Sequence, residues 1–299
     1  MKLIKPVDIT DAMITSCSVT ENEYAAWSIA TAYSIDQRCI YGHKIYKCIS
    51  PNTGAQPDLN SWGTAPVWLD EGYTNRWRMF DPATGSQTTA NESISVSLHA
   101  GIVVDSLAIL DVNATSIHIE MTDPVEGLVY SETLDMVNKT NVIDGFTYFF
   151  APIITDHAAG VMGMPPYLNA TISITVTNSG GVAAIGTLVI GKHKDLGFTQ
   201  YNPTISITDY STKTTDVFGN TFVVKRSYAK RMTCETMLLN TEVDDLQLVL
   251  AEYRSTPVIW IGADSRFASM IIYGFYKSFT ITIPYPDEAT CSIEVEGLT

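Results

Sequence analysis

No run of 18 apolar residues occurs anywhere in the sequence, which argues against a membrane-spanning helix. The opening residues, MKLIKPVDIT, carry only three apolar side chains before Pro6 and Asp8 interrupt them, so neither a signal peptide nor membrane insertion is expected. Cysteine is scarce, odd in number and without a CxxC: Cys17, Cys39, Cys48, Cys234 and Cys291. A disulfide framework or a zinc site is not expected from that spacing. Only Cys39 and Cys48 lie close enough for a local pair, and free thiols are the expected state. Basic residues are few, 18 against 32 acidic, and the net charge of −14 speaks against a nucleic-acid partner. The usual nucleophile, zinc-protease, phosphate-loop and calcium-loop motifs are missing. The histidines His43, His99, His118, His157 and His193 are scattered without metal-ligand spacing. No metal, no cofactor and no catalytic residue is expected.

The charge that is present is uneven. Residues 191–231 hold seven basic and three acidic side chains, whereas both flanking regions are acidic. Lys225, Arg226, Lys230 and Arg231 in this segment are candidates for an assembly interface with an acidic partner, such as another copy of the chain. Their alternative role is a solvated surface. From residue 92 onward, short runs with period-two apolar spacing recur: SISVSL (93–98), SIHIEM (116–121), ATISITVT (170–177) and GTLVIG (186–191). Such runs, separated by turn residues, indicate a sandwich or barrel. NSGG (178–181) is expected to be a turn between two strands. PTISIT (203–208), NTFVVKRSY (220–228), PVIWIG (257–262), MIIYGFYKSFTITIPY (270–285) and CSIEVEGL (291–298) form a second β-rich block.

One helix is expected at 241–254, capped by Thr241, with Val243, Leu246, Leu250 and Tyr253 on one face. This helix covers one face of the apolar segment 254–285, which is apolar on both alternating faces. The second face needs the sandwich or a neighbouring chain, and Trp260 and Phe275 are therefore assembly-interface candidates. The expected fold is mainly β: a small aromatic-rich N-terminal module (1–82), a central jelly-roll-like β-sandwich (83–200), and a C-terminal β-rich assembly domain (201–299) carrying the helix. The stretch TDHAAGVMGMPPY (155–167) is expected to be a long loop whose Asp156, His157 and Tyr167 could border a pocket.

Four of the five tryptophans, Trp27, Trp62, Trp68 and Trp77, precede residue 80. Within YGHKIYKCISPNTGAQPDLNSW (41–62), Tyr46, Cys48, Asn52, Gly54, Pro57 and Trp62 follow a Y-x-C strand, N-x-G-x-x-P loop and tryptophan order. This resembles the type 5/12 chitin- and cellulose-binding modules. The resemblance implies sugar rings stacking on loop-borne aromatics, with Trp62 and Trp68 as carbohydrate-binding candidates. The same aromatics could instead be the core of a small module. In TNRWRMFD (74–81), an extended chain places Arg76 and Arg78 on one face and Trp77 and Met79 on the other. Trp77, Met79 and Phe80 are expected to anchor the module on the sandwich, leaving the arginines to solvent, a carboxylate or a neighbour.

From Tyr24 to IEVEGL near the C-terminus, the chain is similar to a family encoded among tail genes of tailed bacteriophages, most specifically in TNRWRMFD and DYSTKTTDVFGN (209–220). The resemblance implies a virion protein of the tail, collar or baseplate region. Such a protein assembles as an oligomer with copies of itself and other virion proteins, and presents a glycan-binding β-sandwich for attachment to a host cell-surface glycan. It implies no catalytic residues. The alternatives are a free-standing carbohydrate-binding protein and a glycan-degrading enzyme.

Overall fold

A computed structural model describes residues 1–83, 85–139, 142–263 and 267–298. The chain is mainly β, and its strand ladders are antiparallel. Strand β1 (Lys2–Pro6) leads into a strap that lays Val7, Ile9 and β2 (Ile14–Cys17) against the sandwich core. A compact aromatic module follows on β3 (Arg38–Tyr41), β4 (Lys44–Cys48) and β5 (Trp68–Tyr73). The sandwich is built from β6 (Thr88–His99), β7 (Ser106–Asn113), β8 (Ser116–Asp123), β9 (Gly127–Asp135), the short helix α1 (Gly145–Phe150), β10 (Ala158–Met162) and β11 (Thr171–Asp195). The C-terminal part adds β12 (Thr204–Asp209), a hairpin of β13 (Thr212–Thr215) and β14 (Thr221–Val224), and β15 (Tyr228–Leu239). It ends with helix α2 (Val243–Glu252), β16 (Val258–Ile261), β17 (Ile271–Thr282) and β18 (Glu288–Gly297).

Strand β11 belongs to both layers of the sandwich. Its first half pairs with β6 and β8 in the layer β2-β6-β11-β8-β9. Its second half pairs with β7 and β1 in the layer β10-β7-β11-β1-β16-β17-β18-β15-β12. Here the structure departs from the turn expected at NSGG. The chain continues as one strand, because β6 pairs with it on both sides of the interruption, at Thr177↔Ser93 and Val182↔Asn91. The residues between bulge outward. Gly180 adopts φ +74°, which glycine takes without a Cβ penalty, and the Asn178 side chain closes the bulge on the Val182 carbonyl at 2.9 Å. A bulge bends a strand, and bent strands pass from one sheet to the other in a sandwich. Ile174 and Val176 before the bulge, and Ile185, Leu188 and Ile190 after it, therefore reach the same core.

The sequence places the first six residues with the aromatic module, but they form the seam of the large sheet. Strand β1 pairs with β11 on one side and β16 on the other. Neighbouring side chains of a strand point to opposite faces. Leu3 accordingly enters a core with Val258, Trp260, Ile272 and the Leu246 and Leu250 face of α2, while Ile4 enters another with Ala108, Ala158, Val189, Ile259, Ile261 and Ile271. Both are fully buried. The second layer curls enough for Gly160 of β10 to face the Ile261 and Ile271 side chains across this second core.

This packing corrects the expected role of Trp260. It is fully buried, and its indole N–H donates to the Gly274 carbonyl at 3.0 Å. The second face of the segment is covered by the sandwich, so Trp260 cannot serve as an exposed interface residue. Phe275 is half-buried opposite Glu296. Helix α2 is shorter than expected and opens from a 3-10 turn at Asn240–Glu242, with Glu242 rather than Thr241 in the N-cap position. Its buried face is the expected one.

All five cysteines are free thiols. Burial pushes the thiols of Cys39, Cys234 and Cys291 up to about 11, with the Cys48 thiol adding to the effect at Cys39. Burial also raises Cys48. A thiol-specific reagent at mildly alkaline pH is therefore expected to label Cys17 first and the other four only after unfolding, as read by mass spectrometry. Leu3→Ala and Ile4→Ala are each expected to cost about 2–5 kcal/mol in urea melts, with one shared transition for the sandwich and C-terminal signals. Two separate transitions would show that β1 does not couple the two parts.

Candidate functional site

The aromatic module is organised by a tight hairpin. Gly42 and His43 connect β3 to β4, both at positive φ (+55° and +65°), the signature of a two-residue type I′ turn. A left-handed conformation is costly for a residue with a Cβ, and here it aims the His43 ring at the junction with the sandwich. The imidazole stacks on Trp77 with ring centroids 4.1 Å apart. Its Nε2 lies 2.9 Å from Asp11 Oδ2 and its Nδ1 3.1 Å from Glu21 Oε2, both carboxylates coming from the strap. Thr74 completes the knot: its hydroxyl donates to Glu21 at 2.9 Å and its N–H to the His43 carbonyl at 2.9 Å.

TNRWRMFD is thus a knuckle between two folded parts and not an extended strand. It turns at Asn75–Trp77 and forms a 3-10 turn at Arg78–Phe80. Met79 is fully buried in the sandwich core and Phe80 packs on that core, while Trp77 is buried under His43 with Phe80 at 5.8 Å. The Met79 N–H donates to the buried Thr88 hydroxyl at 2.9 Å. Asn75 binds the backbone of Thr89 in both directions, at 2.8 and 2.9 Å. The turn removes the alternation expected for the arginines. Arg78 Nε donates to the Tyr73 carbonyl at 3.2 Å, and Arg76 Nε is buried without a hydrogen-bond partner among the described residues.

The two sugar-stacking candidates part company. Trp62 is 72% exposed, with its indole N–H donating to the Asp58 carbonyl at 3.2 Å. Its loop is pinned by Asn60, which accepts the Val67 N–H at 2.9 Å and whose side chain donates to the Gln56 carbonyl at 2.8 Å. A flat ring on a fixed loop, with Leu59 exposed nearby in sequence, can take the apolar C–H face of a sugar. Trp68 cannot. It is fully buried in β5, edge-on to Tyr33 at 5.0 Å, and its N–H is taken by the Ala55 carbonyl at 2.9 Å. A module this small spends its largest side chain on its own core, together with Tyr33, Cys39, Tyr46 and Cys48. Tyr46 and Cys48 of the motif-like run are thus structural.

The 155–167 stretch is not one long loop, because β10 (Ala158–Met162) interrupts it, and its polar residues are engaged separately. Asp156 accepts from Asn138 at 3.1 Å, His157 Nδ1 lies 3.1 Å from the Val112 carbonyl, and Tyr167 donates to Glu126 at 2.6 Å. Of the basic candidates, Arg231 pairs with Glu296 at 3.1 Å and Lys230 is half-buried in the sheet, whereas Lys225 and Arg226 are exposed beside the β13–β14 hairpin. A cavity of about 1260 Å³ opens between the 193–201 segment and α2, and across it Lys194 is tied to Asp245 at 2.6 Å. Among the described residues, no group of three or more His, Cys, Asp or Glu side chains is placed to hold a metal ion, and no helix is long and apolar enough to cross a membrane. Two features escaped the sequence reading: the His43 stack, hinted at by the two-residue Gly42-His43 turn, and the exposed aromatics of α1. No protein-family model and no curated protein matches the chain.

Trp77→Ala and Trp68→Ala are each expected to cost roughly 3–5 kcal/mol of stability, and Trp62→Ala to leave the melting temperature nearly unchanged. His43→Gly relieves a left-handed backbone worth about 1–2 kcal/mol. If the ring serves only its own turn, this variant should be more stable. The stack and its two carboxylates predict a lower melting temperature instead.

Proposed function

We propose that the chain is a structural component of a tailed-bacteriophage virion, in the tail, collar or baseplate region. It assembles with copies of itself and with other virion proteins, and offers the Trp62 face to a host cell-surface glycan. The observation that carries this reading is apolar surface displayed on protruding elements: every residue of β13 and β14 is exposed, and α1 buries none of its four aromatic side chains. Contiguous exposed apolar surface of this kind marks interaction sites. The two phrases that most resemble the tail-protein family fall on informative places. TNRWRMFD forms the knuckle under the module, and DYSTKTTDVFGN spans the start and tip of the exposed hairpin.

The role is mechanical and adhesive, and no catalytic step is part of it. Trp62 supplies a stacking platform, and the knuckle holds that platform at a fixed angle to the sandwich. A second reading, a free-standing carbohydrate-binding protein, rests on Trp62 alone and leaves the exposed hairpin and helix without a task.

Purified particles are expected to contain this polypeptide in multiple copies, by mass spectrometry of isolated virions; its absence would favour the free-standing binder. On a glycan array, Trp62→Ala should lose about 1 kcal/mol of affinity while keeping its fold. Host polysaccharide incubated with the protein should keep its chain length. Depolymerisation that disappears on substituting a carboxylate would favour a glycosidase.

A further inference from the structure

Several strands of the large sheet are terminal, β2, β9, β10 and β12 among them. Among the described residues, strand β9 pairs only with β8 and strand β12 only with β15, at opposite ends of one hydrogen-bonded path. Each end carries an apolar protrusion. Beyond β12 is the β13–β14 hairpin, whose tip is set by Asp216: its carboxylate accepts the N–H groups of Phe218 and Asn220 at 2.9 and 2.8 Å, and Gly219 turns at φ +84°. That geometry presents Phe218 (86% exposed) with Val217, Phe222, Val223 and Val224. After β9 comes α1, closed by a capping box between Asp144 and Thr147, with Phe146, Tyr148, Phe149 (76% exposed) and Phe150 in solvent. An isolated hairpin or a six-residue helix is marginal in water. Both elements gain from a cover that this chain does not supply.

Their surroundings have opposite charge. The hairpin and its flanks (204–228) carry three exposed basic side chains, Lys213, Lys225 and Arg226, against two carboxylates, Asp209 and Asp216. Residues 120–156, around α1, hold seven carboxylates and one lysine, with Glu126, Glu132, Asp135 and Asp144 exposed. Like surfaces of either kind would repel, and the unlike pair attracts.

We infer that the β13–β14 hairpin of one copy docks on the α1 face of a second copy, in a head-to-tail contact. The inference rests on the proposed assembly role and specifies its geometry. One protomer carries both halves of the contact at opposite ends of its sheet, so each copy leaves one half open on either side. A heterologous contact of this kind closes into a ring or extends as a filament and does not stop at a dimer.

The test uses full-length protein in sedimentation velocity and native mass spectrometry, with a hairpin variant (Phe218→Ser, Phe222→Ser) and a helix variant (Phe149→Ser, Phe150→Ser). All four residues are exposed in the single chain, so circular dichroism spectra and melting temperatures should match the parent. The expected result is a parent that forms oligomers larger than a dimer, two variants that are each monomeric, and an equimolar mixture that forms a dimer and goes no further. In that dimer the intact hairpin of one variant seats on the intact helix of the other. Oligomers from either variant alone, or a mixture that stays monomeric, would overturn the head-to-tail contact while leaving the assembly role standing. A monomeric parent would overturn both.

Discussion

The pairing of β1 between β11 and β16 is the constraint on which the rest of the molecule depends. Five residues extend the sandwich layer into the C-terminal sheet, and two adjacent side chains, Leu3 and Ile4, enter different cores. Fully burying two aliphatic side chains stabilises by roughly 1.5–3 kcal/mol each, but the topological effect is larger than that sum. Without β1, β11 and β16 would both expose edges beside apolar cores. With it, the sandwich and the C-terminal part share one sheet, and the strap that follows runs across the sandwich to the aromatic module.

That arrangement leaves exposed apolar surface on projecting elements. The apolar second face of β16 and β17 is satisfied internally by Ile4, Ala108, Ala158 and Val189. Exposed apolar side chains gather on the hairpin, on α1 and on the Trp62 loop, with others scattered elsewhere, Val125, Tyr201 and Leu248 among them. The knuckle serves the same division of labour. Met79 belongs to the sandwich, Trp77 to the contact with His43, and the strap carboxylates Asp11 and Glu21 hold the imidazole from the other side. Orientation of the module is therefore fixed by side chains from three separate stretches of chain.

The mainly β character was legible because burial on one face writes a period-two pattern, as in Ile94, Val96 and Leu98 or Ile117, Ile119 and Met121. The helix face of Leu246 and Leu250 was legible for the same reason at helical spacing. NSGG misled because turn-forming residues also serve a bulge, and only the continued pairing of β6 distinguishes the two. KLIKP is too short to show a pattern, and its importance comes from partners far along the chain. Trp62 and Trp68 lie six residues apart on similar-looking sequence, yet one is on a loop and the other in a strand whose partner is β4. Strand β12 alternates like a buried one, with Ile205 and Ile207 on one face, yet both are exposed, since alternation records which side chains share a face and not whether that face is covered.

On the proposed assembly, the apolar protrusions that follow β9 and β12 are contact surfaces between chains. Hydrogen–deuterium exchange of the unmodified protein, compared between dilute and concentrated samples, reads this directly. Concentration should slow exchange in residues 204–228 and 142–154 together, with little change elsewhere. Slowing confined to 258–282 or to the Trp62 loop, or no concentration dependence at all, would contradict it.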